Sequence, residues 1–284
     1  MGKSSMTLKE AYEYGQGQLK SAQVEDADLD AWYLLEHVTG VTRAGYFMDL
    51  NRALDEKEEA EYREFVAIRA NHVPLQHITG VQEFMGLPFR VNEHVLVPRQ
   101  DTEVLVECAL DVLEPGMRVL DMCTGSGCIL ISLLKLCSFS NIRGVGVDIS
   151  KEALEVACSN AKNLGVDASF LHSDLFFGVE GKYDVIVSNP PYIRTSVIAE
   201  LKEEVKFHDP LLALDGKENG LYFYRRIVEE SIQHLQLGGR LYFEIGHDQG
   251  EDVSTLMREA GFSNVTVKKD LAGLDRVVFG VYNI

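Results

Sequence analysis

Apolar residues change their spacing along this chain, and each change marks a new kind of structure. From residue 7 to about 72 they recur at helical intervals and no convincing strand appears. Leu8, Ala11 and Tyr12 share one face, as do Ala31, Leu34, Leu35 and Val38. A charged helix is predicted from Asp55, with Glu56, Glu58 and Glu59 in its first turns and Arg69 near its end. Asp55 followed by Glu58 fits a capping box, and the charge order suits the helix dipole. Phe65 and Ile68 can supply the apolar face of that helix. Between 79 and 98 the pattern shifts. Turn signals at Thr79-Gly80 and Met85-Gly86-Leu87-Pro88 flank strand-like Phe89-Arg90-Val91 and Val95-Leu96-Val97. This reads as a hairpin bridging two domains. Pro98 ends it, and Asp101 or Thr102 caps a helix through Leu113.

From Arg118 onward, strands and helices alternate. Strands are expected at 118–121, 144–148, 168–172, 184–188 and 240–245. Helices are expected at 127–136, 151–164, 222–235 and 249–260, with a closing hairpin from 265–269 and 277–282. Such alternation predicts an α/β fold: a doubly wound, mostly parallel sheet with helices on both faces. The domains divide as a small all-helical N-terminal domain (1–78), a β-hairpin linker (79–98) and the α/β domain (99–284).

Composition narrows the function classes. Hydrophobic residues make up 46% and charged residues 25%, as expected of a soluble globular protein. The formal net charge is −17 and the basic residues are scattered, so no basic face for gripping duplex phosphates is visible. Direct, stable nucleic-acid binding is therefore not expected. The five cysteines are odd in number and form no CxxC pair, which suits a reduced, cytoplasmic protein. No run of about 18 apolar residues or secretory signal appears, so no membrane partner is expected. The histidines show no metal-ligand spacing, and no metal is expected. The opening residues 1–6 read as an added leader before a native Met6, and Met6 makes them a poor myristoylation signal.

Candidate chemistry concentrates at two places. The first is Asn189-Pro190-Pro191-Tyr192, directly after the apolar run 183–188. Prolines cannot donate backbone hydrogen bonds and they fix φ, so the strand stops and the backbone beside Asn189 is stiff. Such a tip can hold a planar nitrogen that bears hydrogens. Asn189 Oδ1 and a proline carbonyl accept the N–H bonds, and the Tyr192 ring covers the flat face. The same residues also suit a Pro-rich turn with a buried Asn.

The second place is Val119-Leu120-Asp121-Met122-Cys123-Thr124-Gly125-Ser126-Gly127, a strand leading through a glycine turn into a helix. Gly125 and Gly127 let backbone approach a ligand, and the helix start offers free N–H groups. Asp148 ends the next strand about 20 residues beyond Gly127, where a carboxylate accepts hydrogen bonds from ribose hydroxyls. A nicotinamide dinucleotide fits imperfectly, because Leu130 stands where the fingerprint wants glycine. Asp121 is poor company for a pyrophosphate and good company for a cationic amino-acid moiety, which favours S-adenosylmethionine. Ser173-Asp174-Leu175, after the third strand, would lie near an adenine or cap a helix.

Taken in order, these motifs resemble a class I methyltransferase, a Rossmann-like fold. NPPY or DPPY also occurs in enzymes that methylate adenine amino groups. Further motifs resemble the release-factor glutamine methyltransferases of the PrmC/HemK type. In the linker they are Pro74-Leu75-Gln76-His77-Ile78-Thr79-Gly80, Glu83-Phe84-Met85-Gly86-Leu87 and Val97-Pro98-Arg99-Gln100-Asp101-Thr102-Glu103. Beyond the tip they are the run 209–216, Gly220-Leu221-Tyr222, Glu244-Ile245-Gly246 and the run 270–276. The resemblance implies methyl transfer from S-adenosylmethionine to the side-chain nitrogen (N5) of the glutamine in the Gly-Gly-Gln loop of class 1 peptide-chain release factors. It implies that Cys123, Thr124, Gly125, Ser126, Gly127, Asp148 and Leu175 bind the cofactor, with Asn189 beside it. It further implies that Asn189, Pro190, Pro191 and Tyr192 hold the glutamine, with Asn189, Pro190 and Tyr192 catalytic. Leu175 departs from relatives that carry an aromatic ring there, and Cys123 stands where glycine is usual. The competing readings are an adenine-N6 methyltransferase, a non-catalytic nucleotide-binding scaffold and, more distantly, a nicotinamide oxidoreductase.

Overall fold

The computed structural model describes residues 5–139 and 141–283; residues 1–4, on which the leader reading mostly falls, lie outside the described residues. The chain forms two compact units. One runs to Gly80 and also takes in Glu203–His208; the other comprises Val81–Lys202 and the chain from Asp209 onward.

The first unit is helical: α1 (Leu8–Ser21), α2 (Ala27–Thr39), α3 (Arg43–Met48), α4 (Glu56–Ala70) and α5 (Leu75–Thr79). Capping boxes open α1, through Thr7 and Glu10, and α4, through the expected Asp55 and Glu58. The buried face of α4 is Tyr62, Val66 and Arg69, whereas Phe65 and Ile68 are only half-buried. Spacings of four and three put those three residues on one stripe. Gly15 is required where α1 meets Tyr62, because a Cβ there would collide with the phenol. Trp32 and Tyr46 meet edge to face at 5.4 Å in the same core.

Arg69 was read as a charge near the helix C-terminus, yet it is 5% exposed. Its Nε donates to Asp30 Oδ2 (2.7 Å), its Nη1 to the Val73 carbonyl (2.9 Å) and its Nη2 to Glu204 Oε2 (2.9 Å). Burial pushes the Asp30 carboxyl up in spite of the guanidinium beside it. Glu204 lies in the short helix Glu203–His208, so residues far along the sequence complete this unit.

The second unit starts with a hairpin of β1 (Val81–Phe84) and β2 (Leu87–Arg90), turning at Met85 and Gly86 with φ of 52° and 71°. The expected partner strand at 95–97 is not a strand. The two-residue turn pairs 87–90 with 81–84 instead, a connection that positive φ at both central residues suits. A 3-10 turn (Gln100–Thr102) precedes α6 (Glu103–Leu110), which ends before Leu113 and receives no side-chain cap from Asp101 or Thr102.

Among the described residues, seven further strands make one sheet in the order β5-β4-β3-β6-β7-β9-β8. They are β3 (Arg118–Met122), β4 (Arg143–Asp148), β5 (Ala168–His172), β6 (Tyr183–Ser188), β7 (Leu235–Glu244), β8 (Phe262–Lys269) and β9 (Asp275–Tyr282). The first five run parallel, and β9 and β8 close the sheet antiparallel. Helices α7 (Cys128–Leu136), α8 (Lys151–Leu164), α12 (Tyr222–Ser231) and α13 (Gly250–Glu259) cover the faces. Short α9 (Thr195–Ile198), α10 (the Glu203–His208 helix) and α11 (Leu211–Leu214) follow β6 and were not expected. The predicted helix 222–235 ends at Ser231, since Leu235 already pairs with Tyr183 in the sheet. Central strands alternate between two cores. Leu120, Met122 and Ile186 face α12 and α13, while Val119, Val185 and Val187 face α6 and α7.

Candidate active site

Chain direction through the sheet determines where a ligand can sit. After β3 the chain moves outward through β4 and β5, then returns to place β6 on the other side of β3. The loops after β3 and β6 therefore diverge, and a crevice opens at the carboxyl ends of these strands. Met122 is level with Ser188 in the parallel register, and Ser188 Oγ donates to the Met122 carbonyl (2.7 Å). The next residues, Cys123 and Asn189, thus stand at the mouth of the crevice.

A cavity of about 350 Å³ occupies this place. Of the residues expected to bind cofactor, Cys123, Thr124, Gly125, Ser126, Asp148, Leu175 and Asn189 line it, together with Ser173 and Asp174. Pro191 lines it too; Gly127, Pro190 and Tyr192 do not. Glu93, Asp148, Glu152 and Asp174 on the wall outnumber Arg99, its one guanidinium. Such a wall disfavours a pyrophosphate and suits a nucleoside that carries positive charge.

The turn after β3 is held in an unusual backbone shape. Cys123, Gly125 and Gly127 have φ of 63°, 54° and 79°. The left-handed region is costly for a residue with a Cβ such as Cys123 and marks a site under strain. A Cβ on Gly125 would meet nothing within 4 Å, so its backbone is open to the cavity. Gly127 does different work. A Cβ there would lie 2.8 Å from Ile131 Cδ1 and 3.2 Å from Ala157 Cβ, so this glycine lets the start of α7 close onto α8.

Two carboxylates brace the turn. Asp148 Oδ2 accepts the Gly125 N–H (2.8 Å) and Oδ1 accepts the Ser150 N–H (2.9 Å). A carboxylate offers about four acceptor positions, so Asp148 keeps capacity for ribose hydroxyls. Asp121 is not the cavity-facing charge that the sequence suggested. It is fully buried; its Oδ2 accepts from Thr124 Oγ1 (2.6 Å) and the Leu130 N–H (3.3 Å). Burial pushes its carboxyl up to about 7. Leu175, at φ 48°, is buried with its carbonyl accepting from Ser173 Oγ (3.0 Å), and it supplies apolar packing to the wall.

Sequence reasoning missed Asn160. It is 1% exposed, and its amide donates to the Ser126 carbonyl (2.9 Å) and the Arg90 carbonyl (3.0 Å) while accepting the Arg90 N–H (2.8 Å). One side chain thereby ties α8 to the glycine turn and to β2. A polar residue on a helix face that otherwise buries Ala153, Leu154, Ala157 and Ala161 was the available signal.

At the tip after β6, Asn189 is half-buried while Pro190 and Pro191 are buried. Among the described residues, neither the Asn189 side-chain amide nor the Pro190 carbonyl has a hydrogen-bond partner. Tyr192 turns its hydroxyl to Glu244 Oε1 (3.4 Å) rather than toward the cavity. Its backbone carbonyl accepts from Gln249 Nε2 (3.1 Å), and Gln249 Oε1 takes the Gly246 N–H (2.9 Å). Gln249, 3% exposed, is a second residue that the sequence did not single out. Among the described residues, no three His, Cys, Asp or Glu side chains are grouped to hold a metal ion. No helix among them is long and apolar enough to cross a membrane.

Residues 10–80 match the PrmC N-terminal domain and residues 100–205 the methyltransferase small domain. A release factor glutamine methyltransferase of Caulobacter vibrioides is 40% identical over 98% of this chain and 98% of its own. One from Agrobacterium fabrum is 40% identical over 92% of each chain. A solved methyltransferase from Pyrococcus furiosus shares the fold at 19% identity, with a TM-score of 0.53 over 71% of this chain and 91% of its own. The chain belongs to the release factor glutamine methyltransferase family.

Proposed function

We propose that this chain transfers the methyl group of S-adenosylmethionine to the side-chain amide nitrogen of the glutamine in the Gly-Gly-Gln loop of class 1 peptide-chain release factors. The observation that carries this reading is the pair of unpartnered acceptors at the tip, Asn189 Oδ1 and the Pro190 carbonyl, beside a cavity suited to a cationic nucleoside. Cys123 to Ser126, Asp148 and Leu175 would hold the cofactor, with Gly127 shaping the turn behind them. When bound, S-adenosylmethionine supplies a methyl group on an electron-poor sulfonium.

The protein's part is placement and electrostatics. An amide nitrogen is a weak nucleophile because its lone pair is delocalised. Asn189 Oδ1 and the Pro190 carbonyl accept its two N–H bonds and fix the amide plane. Both acceptors carry partial negative charge, so they favour the positive charge that develops on nitrogen during attack. The prolines keep these acceptors from relaxing, and alignment of this kind lowers the barrier without a general base. Pro191 walls the cavity, and Tyr192 stiffens the tip. The excess proton leaves to water after transfer.

The first unit supplies surface for docking the folded factor, since one glutamine offers little to recognise. The substrate belongs to translation, which puts the enzyme in the cytoplasm. Mass spectrometry of a purified class 1 release factor, incubated with this protein and S-adenosylmethionine, tests the reading. One added methyl group on the Gly-Gly-Gln glutamine is expected. Methylation of adenine in nucleic acid, with none on the factor, would overturn it.

A further inference from the structure

Beneath the tip lies a buried carboxylate that methyl transfer, as described, leaves unused. Glu244 is the last residue of β7 and is 1% exposed. Burying a carboxylate is costly and calls for a reason. Its Oε1 faces the Tyr192 hydroxyl at 3.4 Å. Burial raises the pKa of both groups, so Tyr192 remains a proton donor. The Thr102 side chain and the Arg276 and Arg99 guanidiniums favour the ionised carboxylate, while Asp101 opposes it. Arg276 does not depend on Glu244 for neutralisation. Its Nη2 is 3.0 Å from Asp270 Oδ2 and 3.3 Å from Asp101 Oδ2.

The backbone at Tyr192 is clamped separately. Gln249 holds its carbonyl, and a Cβ on Gly216 would stand 2.7 Å from its backbone. The Glu244 contact therefore acts on the ring. Pro190 and Pro191 have fixed φ, so the short path from Tyr192 back to Asn189 is stiff. Pinning the ring at its hydroxyl adds a third restraint to the segment that carries the two acceptors.

We infer that Glu244 is a positioning residue for amide methylation: by holding the Tyr192 hydroxyl it adds, through the ring, to the restraints that space Asn189 Oδ1 and the Pro190 carbonyl. The inference rests on the functional reading above. It gives the Glu244-Ile245-Gly246 motif a role at the reacting amide, although Glu244 touches neither substrate nor cofactor.

Steady-state kinetics on a release factor, with calorimetry of S-adenosylmethionine binding, tests this. Glu244→Leu and Tyr192→Phe should each lower kcat about tenfold while cofactor affinity stays within about twofold. The double variant should be no worse than either single variant, the signature of one shared contact. Glu244→Gln keeps an acceptor and should recover kcat to within about threefold of wild type. A folded Glu244→Leu with full kcat, multiplicative effects in the double variant, or a Glu244→Gln as impaired as Glu244→Leu would each overturn the inference alone. If Glu244→Leu does not fold, Tyr192→Phe decides: full turnover overturns the inference, and a tenfold loss beside an active Glu244→Gln supports it. An inactive wild type would instead overturn the functional reading, and this inference with it.

Discussion

Gly125 donates its backbone N–H to Asp148, at the end of the neighbouring strand β4, at 2.8 Å. The two parts that would bind cofactor are thus one assembly: the acid that would take the ribose also shapes the glycine turn. Loss of Asp148 should act twice, by removing a ribose acceptor and by freeing Gly125.

The affinity consequence is direct. Asp148→Ala should weaken S-adenosylmethionine binding by roughly 1.5–3 kcal/mol, the range for a charge-assisted hydrogen bond. Asp148→Asn, which retains one oxygen acceptor, should lose less. Calorimetry on folded variants measures both, and an unchanged affinity in Asp148→Ala would remove Asp148 from the cofactor site.

Asn189 should behave differently. Asn189→Ala should lower kcat by about tenfold or more, at least ~1.4 kcal/mol of transition-state stabilisation, with little change in cofactor affinity. Its side chain has no hydrogen-bond partner among the described residues, so its removal should also leave thermal stability nearly unchanged. Full turnover in Asn189→Ala on a release factor would discard the proposed role of the tip.

Asp121 predicts a pH dependence of stability. Its carboxyl moves from 3.8 to about 7 on folding, chiefly through burial. Between those values the native chain holds a proton that the unfolded chain has released. The stability from this group is complete below the unfolded value and is lost as pH rises through about 7. Melting temperatures of wild type and Asp121→Asn, taken from about pH 5 to about pH 8, should diverge as the wild type falls relative to the variant. Parallel curves would show that Asp121 is ionised in the folded protein.

In the first unit, Arg69→Met should cost about 3–5 kcal/mol, because it leaves the buried Asp30 without its guanidinium. Adding Asp30→Leu should recover much of that loss. Denaturant melts of the single and double variants measure it, and an Asp30→Leu that adds to the damage would contradict the ion-pair account.

Periodic and punctuated features were legible from the residues alone. The Asp55–Glu58 cap, the βα alternation from Arg118, the glycine turn, the acid at Asp148 and the Pro-stiffened tip all depend on neighbours in sequence, or on a hydrophobic period that the backbone imposes. Val95 to Val97 looked like a strand because β-branched residues suit a pleated surface, yet the Met85–Gly86 turn had already assigned 87–90 to another partner. Only the tertiary structure could decide which polar residues brace the site. Asp121 looked like a ligand charge and proved to be a buried support for Thr124 and Leu130; for Gly127, read as a ligand contact, the structure adds that its missing Cβ admits Ala157. Asn160, Gln249 and Glu244 act on segments up to 70 residues away, as in the Arg90–Asn160 bond. Arg69 likewise finds Glu204 at a separation of 135 residues. Such partners are chosen by the path of the whole chain, because a buried polar group must be satisfied by whatever folding brings to it.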